Sequence, residues 1–265
     1  MDKKIGLFWL RDDFRISRNN GLVEASRNHD QVVAFFLYKK LTYKYKEAQK
    51  WWLSKSLSNF KQKLSGLNIS LQTIETESFK LFFDELLEKQ NFSIYWNKVY
   101  EPDYLKFDNY LSKNLERKSI KFKIFKGNAL NEIGEVKKAD GTPFRVFTPF
   151  WRYAEKYYFE KIPQKLKTVQ KCKNKISFFK NSIDEKKILP KRNWFKKFEK
   201  IWIPSEESAS KQLQDFIRTK LENYSDGRNF PNISGTSKLS PFIKFGQIHV
   251  ETIWDECAKQ KIKGI

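Results

Sequence analysis

Few residues in this 265-residue sequence belong to the types that bind metals or perform covalent catalysis: two cysteines, two histidines and one methionine. Cys172 and Cys257 are far apart, which offers no metal cluster and suits a reducing compartment. Nowhere do about 18 uncharged apolar residues run together, as a membrane-crossing helix requires. The start, Met1-Asp2-Lys3-Lys4, leads into an apolar segment too short for a signal peptide. These absences predict a soluble, cytoplasmic protein. No G-x-G-x-x-G turn follows the first apolar segment and no G-x-x-x-x-G-K-[ST] loop occurs, so nothing supports nicotinamide dinucleotide binding there or a P-loop nucleotidase. Internal repeats are also lacking.

What is abundant is positive charge and aromatic area. Lys and Arg number 52 against 31 Asp and Glu, a net charge of +21 at pH 7, and 16% of the residues are aromatic. With 40% hydrophobic residues the chain can build a core, which excludes wholesale disorder. A surface this basic draws polyanions such as DNA. An AT-rich coding sequence also enriches Lys, Asn, Ile and Phe, and the lysines are spread along the chain, so both explanations of the charge stay open.

The first 126 residues alternate between two periodicities. Ile5 to Leu10 is continuously apolar, as a strand buried on both faces is, and it breaks into Arg11-Asp12-Asp13-Phe14-Arg15, where α/β proteins put binding loops. Val32 to Tyr38 repeats the strand pattern. Lys44 to Leu64 carries Leu53, Leu57, Phe60 and Leu64 at helical spacing, with Gly66 to end it. Ile69 to Ile74 alternates apolar and polar, and Ser78 to Gln90 reads as a helix. Ser93 to Trp96 is a strand, Asp103 to Lys118 a helix, and Ile120 to Phe125 a strand. This alternation predicts a doubly wound, mainly parallel, Rossmann-like sheet with helices on both faces.

Beyond Gly127 come turns at Gly134 and Asp140-Gly141, then a helix begun by Thr148 as cap and Pro149, running to about Glu160. Lys165 to Lys191 is lysine-rich with little apolar periodicity and reads as a connection. A helix is predicted from Glu206 to Tyr224 with Leu213, Phe216, Ile217 and Leu221 on one face, and a last one carrying Ile248, Ile253 and Trp254. Between them lies Gly235-Thr236-Ser237-Lys238-Leu239-Ser240-Pro241, a cluster of hydroxyls and positive charge at a helix start, suited either to a phosphorylated ligand or to an ordinary surface turn.

Among the remaining polar residues, Asp12-Asp13 beside Arg11 and Arg15 reads as a local ion-pair cluster ahead of a catalytic carboxylate pair. His29 reads as solvated, His249 as a turn residue, both thiols as inert, and the eight tryptophans as packing residues.

Three segments together resemble the photolyase/cryptochrome family of blue-light flavoproteins. Leu7-Phe8-Trp9-Leu10-Arg11-Asp12-Asp13-Phe14-Arg15 is similar to its W-F-R-x-D-L-R opening. Trp96-Asn97-Lys98-Val99-Tyr100-Glu101-Pro102 and Gly141-Thr142-Pro143-Phe144-Arg145-Val146-Phe147-Thr148-Pro149-Phe150-Trp151 resemble W-N-R-x-Y-x-P and G-x-P-x-x-V-F-T-P-F-W. Tyr224-x-x-x-Arg228-x-x-Pro231 and Gly235 to Gly246 resemble the segment around G-T-S-R-L-S-P-x-L-x-F-G.

The resemblance implies an antenna-type α/β domain over residues 1–130, a connecting segment over 131–200, and the first helices of an incomplete all-α FAD-binding domain over 201–265. It places Tyr224, Arg228, Thr236, Ser237, Lys238, Leu239 and Ser240 at the flavin nucleotide, the hydroxyls at its diphosphate, with Lys238 where the family more often has a forked Arg. Asp103 and Tyr104 align with the family's folate-binding Asn-Glu pair, where Asp103 also reads as a helix cap; folate, deazaflavin and no antenna all stay open. The implied chemistry is splitting of cyclobutane pyrimidine dimers in DNA by light-driven electron transfer from reduced FAD, acting on a flipped-out dimer. A cryptochrome-type photosensor and a stand-alone α/β nucleotide or chromophore module are the alternatives. Family members continue through many further helices beyond the position of Ile265. By that comparison this polypeptide alone binds FAD weakly or not at all and repairs no dimers. It is then either part of a split protein with a separate carboxy-terminal partner or an antenna-like module, and its apolar helix faces are expected to stay uncovered.

Overall fold

The strongly apolar run at the start becomes the central strand of the sheet. The computed structural model describes residues 5–39, 45–89, 91–160 and 166–260. Strand β1 (Ile5–Leu10) is followed by α1 (Asn20–Asn28), β2 (Val32–Lys39), α2 (Glu47–Ser65), β3 (Ser70–Thr76), α3 (Phe79–Leu87), β4 (Phe92–Asn97), α4 (Pro102–Arg117) and β5 (Phe122–Phe125). All strands pair in parallel in the order β3-β2-β1-β4-β5. The predicted doubly wound, Rossmann-like α/β sheet is therefore present, with its switch point between β1 and β4.

Alternation along β1 explains the two core layers. Phe8 and Leu10 point to a cluster with Leu22 of α1 and Trp51, Leu53, Leu57 and Phe60 of α2. Leu7 and Trp9 point to the opposite cluster, with Phe83 of α3, Leu111 of α4 and Trp96 of β4. Both faces being covered is why the strands read as unbroken apolar runs.

Strand β3 departs from its expected alternation: Ser70 to Ile74 are all buried. The lysine-rich stretch covers this edge. The Ile183 amide donates to the Thr73 carbonyl (2.7 Å), and Gln72 donates to the Phe179 carbonyl while accepting from the Phe178 and Phe179 amides. Covering an edge strand satisfies backbone groups that otherwise invite pairing with another chain.

The carboxy-terminal half adds α5 (Phe147–Glu160), α6 (Lys196–Glu199), α7 (Glu206–Thr219), α8 (Tyr224–Gly227), α9 (Ser240–Lys244) and α10 (Val250–Ala258). Several expected boundaries are corrected. Helix α5 starts at Phe147, so Thr148 lies inside it and Pro149 still falls in the first turn, where its missing N–H costs nothing. Helix α7 stops at Thr219 because the Lys220 and Leu221 amides both turn back to the Phe216 carbonyl, which buries Leu221 and sets Tyr224 edge-on to Phe216 at 5.4 Å. Ile248 precedes α10 and is buried.

The apolar faces expected to stay uncovered are also corrected. Leu213, Phe242, Phe245 and Ile248 are buried in the same cluster as α2. Trp52 organises this contact: its ring lies 5.1 Å from that of Phe242 and stacks on Phe245 at 6.2 Å, and its Nε1 donates to Gln247. The sheet layer supplies the surface that the short helices need.

Candidate functional site

At the β1–β4 switch point, where open α/β sheets take ligands, the chain places its own side chains. The Arg11 guanidinium lies against the Trp9 ring (4.7 Å), pairs with Asp108 of α4 at 2.9 Å, and donates to the Asn97 carbonyl. Asn97 donates to Asn19 (2.8 Å) and to the Asp13 carboxylate, and its Oδ1 accepts from the Gly21 amide (3.0 Å). Asp13 also accepts from the Arg11 amide, and Asn19 accepts from Leu22 to cap α1. Arg11, Asp13, Asn19, Asn97 and Asp108 are all buried, as is Trp9. Burial pushes the Asp13 and Asp108 carboxyls up, opposed by Arg15 and Arg11 respectively. The expected local ion-pair cluster holds in part: the charges of Arg15 and Arg11 act on Asp13, while Arg11 also reaches Asp108 and Asp12 reaches Lys244 at 3.3 Å. These last partners come from other elements because the strand ends converge there.

The loop between β1 and α1 is held from above by the later helices. The Phe14 amide donates to the Phe245 carbonyl, and Arg15 donates to the Gly246 carbonyl (2.9 Å). Glu206, at the start of α7, accepts from the amides of Ile16 (2.8 Å) and Ser17 (2.9 Å) and from Lys63. Burial works to raise the Glu206 carboxyl, but the Ile16 amide, Lys63 and Ser17 outweigh it and hold it below its usual range. Gly246 has φ +61°, and a Cβ there would overlap the carbonyl of Asp12, so only glycine lets the two segments meet.

The sequence-predicted nucleotide residues are brought together beside this joint. Gly227 and Gly235 pack backbone to backbone: a Cβ on Gly235 would lie 2.6 Å from the Gly227 carbonyl. That approach sets Tyr224 and Arg228, whose guanidinium lies 5.7 Å from the Tyr224 ring, next to the run Thr236 to Ser240. Leu239 is buried as the anchor, and Ser240-Pro241 begins α9 as expected. Lys238 adopts a left-handed backbone (φ +54°), and Gln212 of α7 donates to the Ser237 carbonyl at 2.9 Å. Ser237 Oγ accepts from the Leu239 amide, leaving its proton to donate. Thr236, Lys238 and Ser240 are exposed and have no side-chain hydrogen bond or ion pair among the described residues.

Other candidates fall elsewhere. Asp103 is exposed in the first turn of α4, whose cap position belongs to Glu101 because Pro102 takes the first helical place, so its expected cap role is corrected. Tyr104 packs on Phe79, 5.3 Å from the Arg11 guanidinium. His29 is not solvated: its Nε2 meets the Tyr95 hydroxyl at 2.9 Å and its ring covers Gly6. His249 caps α10, with Nδ1 accepting from the Glu251 amide and Nε2 donating to the Gly127 carbonyl. Burial, then the charges of Arg15, Lys126 and Arg18, push its pKa down to about 2, so it stays neutral. Burial pushes both thiols up, in keeping with inert cysteines. Among the described residues no His, Cys, Asp or Glu cluster is placed to hold a metal, and no helix is long and apolar enough to cross a membrane.

Sequence reasoning missed a cavity of about 670 Å³ between α1, β5, α5 and α10, lined by Arg18, Glu24, Lys126, Tyr158, Glu251 and Trp254. No local signal marks it, because its walls come from five separate segments. Its charges are largely spent on one another: Arg18 and Lys126 both pair with Glu251, and Lys123 with Glu24.

Residues 6–168 match the family model described as DNA photolyase. The deoxyribodipyrimidine photo-lyase of Agrobacterium fabrum is 31% identical over 94% of this chain and 52% of its own length. Cryptochrome-2 of Arabidopsis thaliana is 27% identical over 98% of this chain and 44% of its own. Among solved structures, a bacterial class III photolyase from Agrobacterium tumefaciens superposes with a TM-score of 0.87 at 28% identity, over 100% of this chain and 55% of that one. The chain spans about half the length of the curated relatives it matches.

Proposed function

This chain belongs to the DNA photolyase family, and on that premise we propose that Tyr224, Arg228 and Thr236 to Ser240 form one wall of an FAD site serving light-driven splitting of cyclobutane pyrimidine dimers in DNA. One observation carries the reading: three donors close in sequence, on Thr236, Lys238 and Ser240, have no side-chain hydrogen bond or ion pair among the described residues, at a place built by a glycine-to-glycine contact. Small hydroxyls approach phosphate oxygens closely, and Lys238 adds a point charge. Leu239 holds the run to the core, and Gln212 donates to the Ser237 carbonyl. Bound FAD would supply the electron-transfer chemistry; the part of this chain is to bind, orient and neutralise charge.

The donors face solvent, so in this reading the opposite wall comes from further protein, either a longer chain or a separate carboxy-terminal fragment. FAD is accordingly held weakly by these residues alone. The net charge of +21 is in keeping with a DNA-directed role. An antenna at Asp103 and Tyr104 has less support, since Tyr104 already packs on Phe79.

The test is titration of isotope-labelled protein with FAD, inorganic pyrophosphate and riboflavin, followed by NMR. Shifts confined to residues 224–240 with FAD and pyrophosphate, absent with riboflavin and weakened in Lys238→Ala, are expected. Equal shifts with riboflavin, or FAD shifts centred on another surface, overturn the reading. Preference for dimer-containing over undamaged DNA separates the repair role from the photosensory one.

A further inference from the structure

The stretch from Lys191 to Ile203 stands apart from everything used so far. It carries five cations, Lys191, Arg192, Lys196, Lys197 and Lys200, all exposed, and none forms an ion pair or side-chain hydrogen bond among the described residues. Several exposed lysines elsewhere are paired, as Lys61, Lys80, Lys123 and Lys173 are. Its single carboxylate, Glu199, is taken by Lys55 at 2.7 Å. Between the cations sits Trp194, 39% exposed, the only tryptophan among the exposed large hydrophobics of the described residues, with Ile201 at 74% beyond it.

This surface is held in place. A tight 3₁₀ turn from Asn193 to Phe195 runs directly into α6, Phe195 is buried in the core, and Phe198 packs edge-on to Trp51 at 5.7 Å. Phe198 in turn buttresses Trp194 at 5.2 Å. The aromatic ring is therefore presented, with charge on both sides, at little further entropic cost.

We propose that residues 191–201 form a docking surface for single-stranded nucleic acid, the cations following the phosphates and Trp194 stacking on a base. Charge complementarity selects a polyanion, and an exposed indole among unpaired cations is the combination that sequence-tolerant strand binding uses. A lipid surface suits the patch less well, because α6 has four residues and offers no length of amphipathic helix to lie in an interface. The inference goes beyond the flavin site and does not depend on it.

The experiment measures binding of the full chain to a fluorescein-labelled oligothymidylate by anisotropy over a range of salt. The triple variant Lys196→Ala/Lys197→Ala/Lys200→Ala is expected to bind about tenfold more weakly, with the salt slope shallower by about 2. The charge-matched control Lys106→Ala/Lys113→Ala/Lys138→Ala is expected to keep the wild-type slope to within about half a unit. Trp194→Ala should lose about tenfold with its slope unchanged, and Trp194→Phe should recover most of that loss. Equal loss in both triple variants overturns the proposal, as does an unaffected Trp194→Ala or tighter binding to phosphatidylglycerol vesicles than to the oligonucleotide. FAD-induced shifts at residues 224–240 should persist in every patch variant, so failure here and failure of the flavin reading are told apart; circular dichroism verifies that each variant is folded.

Discussion

The loop behind β1 and the run from Thr236 to Ser240 are built from similar polar side chains and end in opposite states. Behind β1, Arg11, Asp13, Asn19, Asn97 and Asp108 are buried and satisfy one another, so the place where an open α/β sheet ordinarily receives a ligand is closed by the chain itself. The later helices then dock on the same loop through Glu206, Phe245 and Gly246. The later run keeps Thr236, Lys238 and Ser240 exposed and, among the described residues, without side-chain partners. A polar group can stabilise a fold or serve a ligand, and burial decides which: a desolvated donor must find a partner inside, while an exposed one keeps its capacity at little cost.

The comparison breaks first at its buried end. Removing one partner of the Arg11–Asp108 pair leaves a charge without compensation in the core, so Asp108→Ala is expected to lower stability by about 4 kcal/mol, read from urea denaturation. A loss under about 1 kcal/mol would mean that the network is solvated and the switch point accessible. Gly246→Ala comes next, at about 3 kcal/mol, because the new Cβ meets the Asp12 carbonyl while the backbone is held left-handed. If that variant is as stable as the parent, the joint between loop and helices is looser than the structure describes.

His249 sharpens the same contrast through pH. Its folded pKa, about 2, lies below its ordinary 6.5, so the unfolded chain takes up a proton that the folded chain refuses. Stability from this group is complete above pH 6.5 and falls as pH drops toward 2, at about 1.4 kcal/mol per pH unit once well below 6.5. Thermal melts between neutral pH and about pH 5 should therefore be flatter for His249→Ser, whose hydroxyl keeps the α10 cap without the titration. The smallest effect belongs to the exposed run: Lys238→Gly relieves a left-handed backbone and should shift stability by no more than about 1 kcal/mol, while weakening pyrophosphate-induced NMR shifts.

Much of the fold was legible because both faces of the sheet are covered. Ile5 to Leu10 and Val32 to Tyr38 read as buried strands with no knowledge of their neighbours, and Leu53, Leu57, Phe60 and Leu64 marked the inward face of α2. Where a neighbour decides the outcome, the reading failed. Ser70 to Ile74 alternated in sequence yet is buried throughout, because residues 176–183 lie along it. His249 looked like a turn residue since a capping imidazole differs from a solvated one only in what lies two residues ahead and across the chain at Gly127. The candidate nucleotide run was visible as a motif; that its donors are unpaired was not.

What the sequence by itself determined is the α/β alternation and the hydroxyl-and-lysine run, local patterns that periodicity and composition express directly, and the family, which the resemblance of its motifs carries. Only the tertiary structure decided which polar residues are free. Arg11 and Asp108 stand 97 positions apart, and Arg15 and Gly246 stand 231 apart. Pairings across such distances leave no trace in local pattern, because burial and hydrogen bonding are properties of what the folded chain brings alongside each residue.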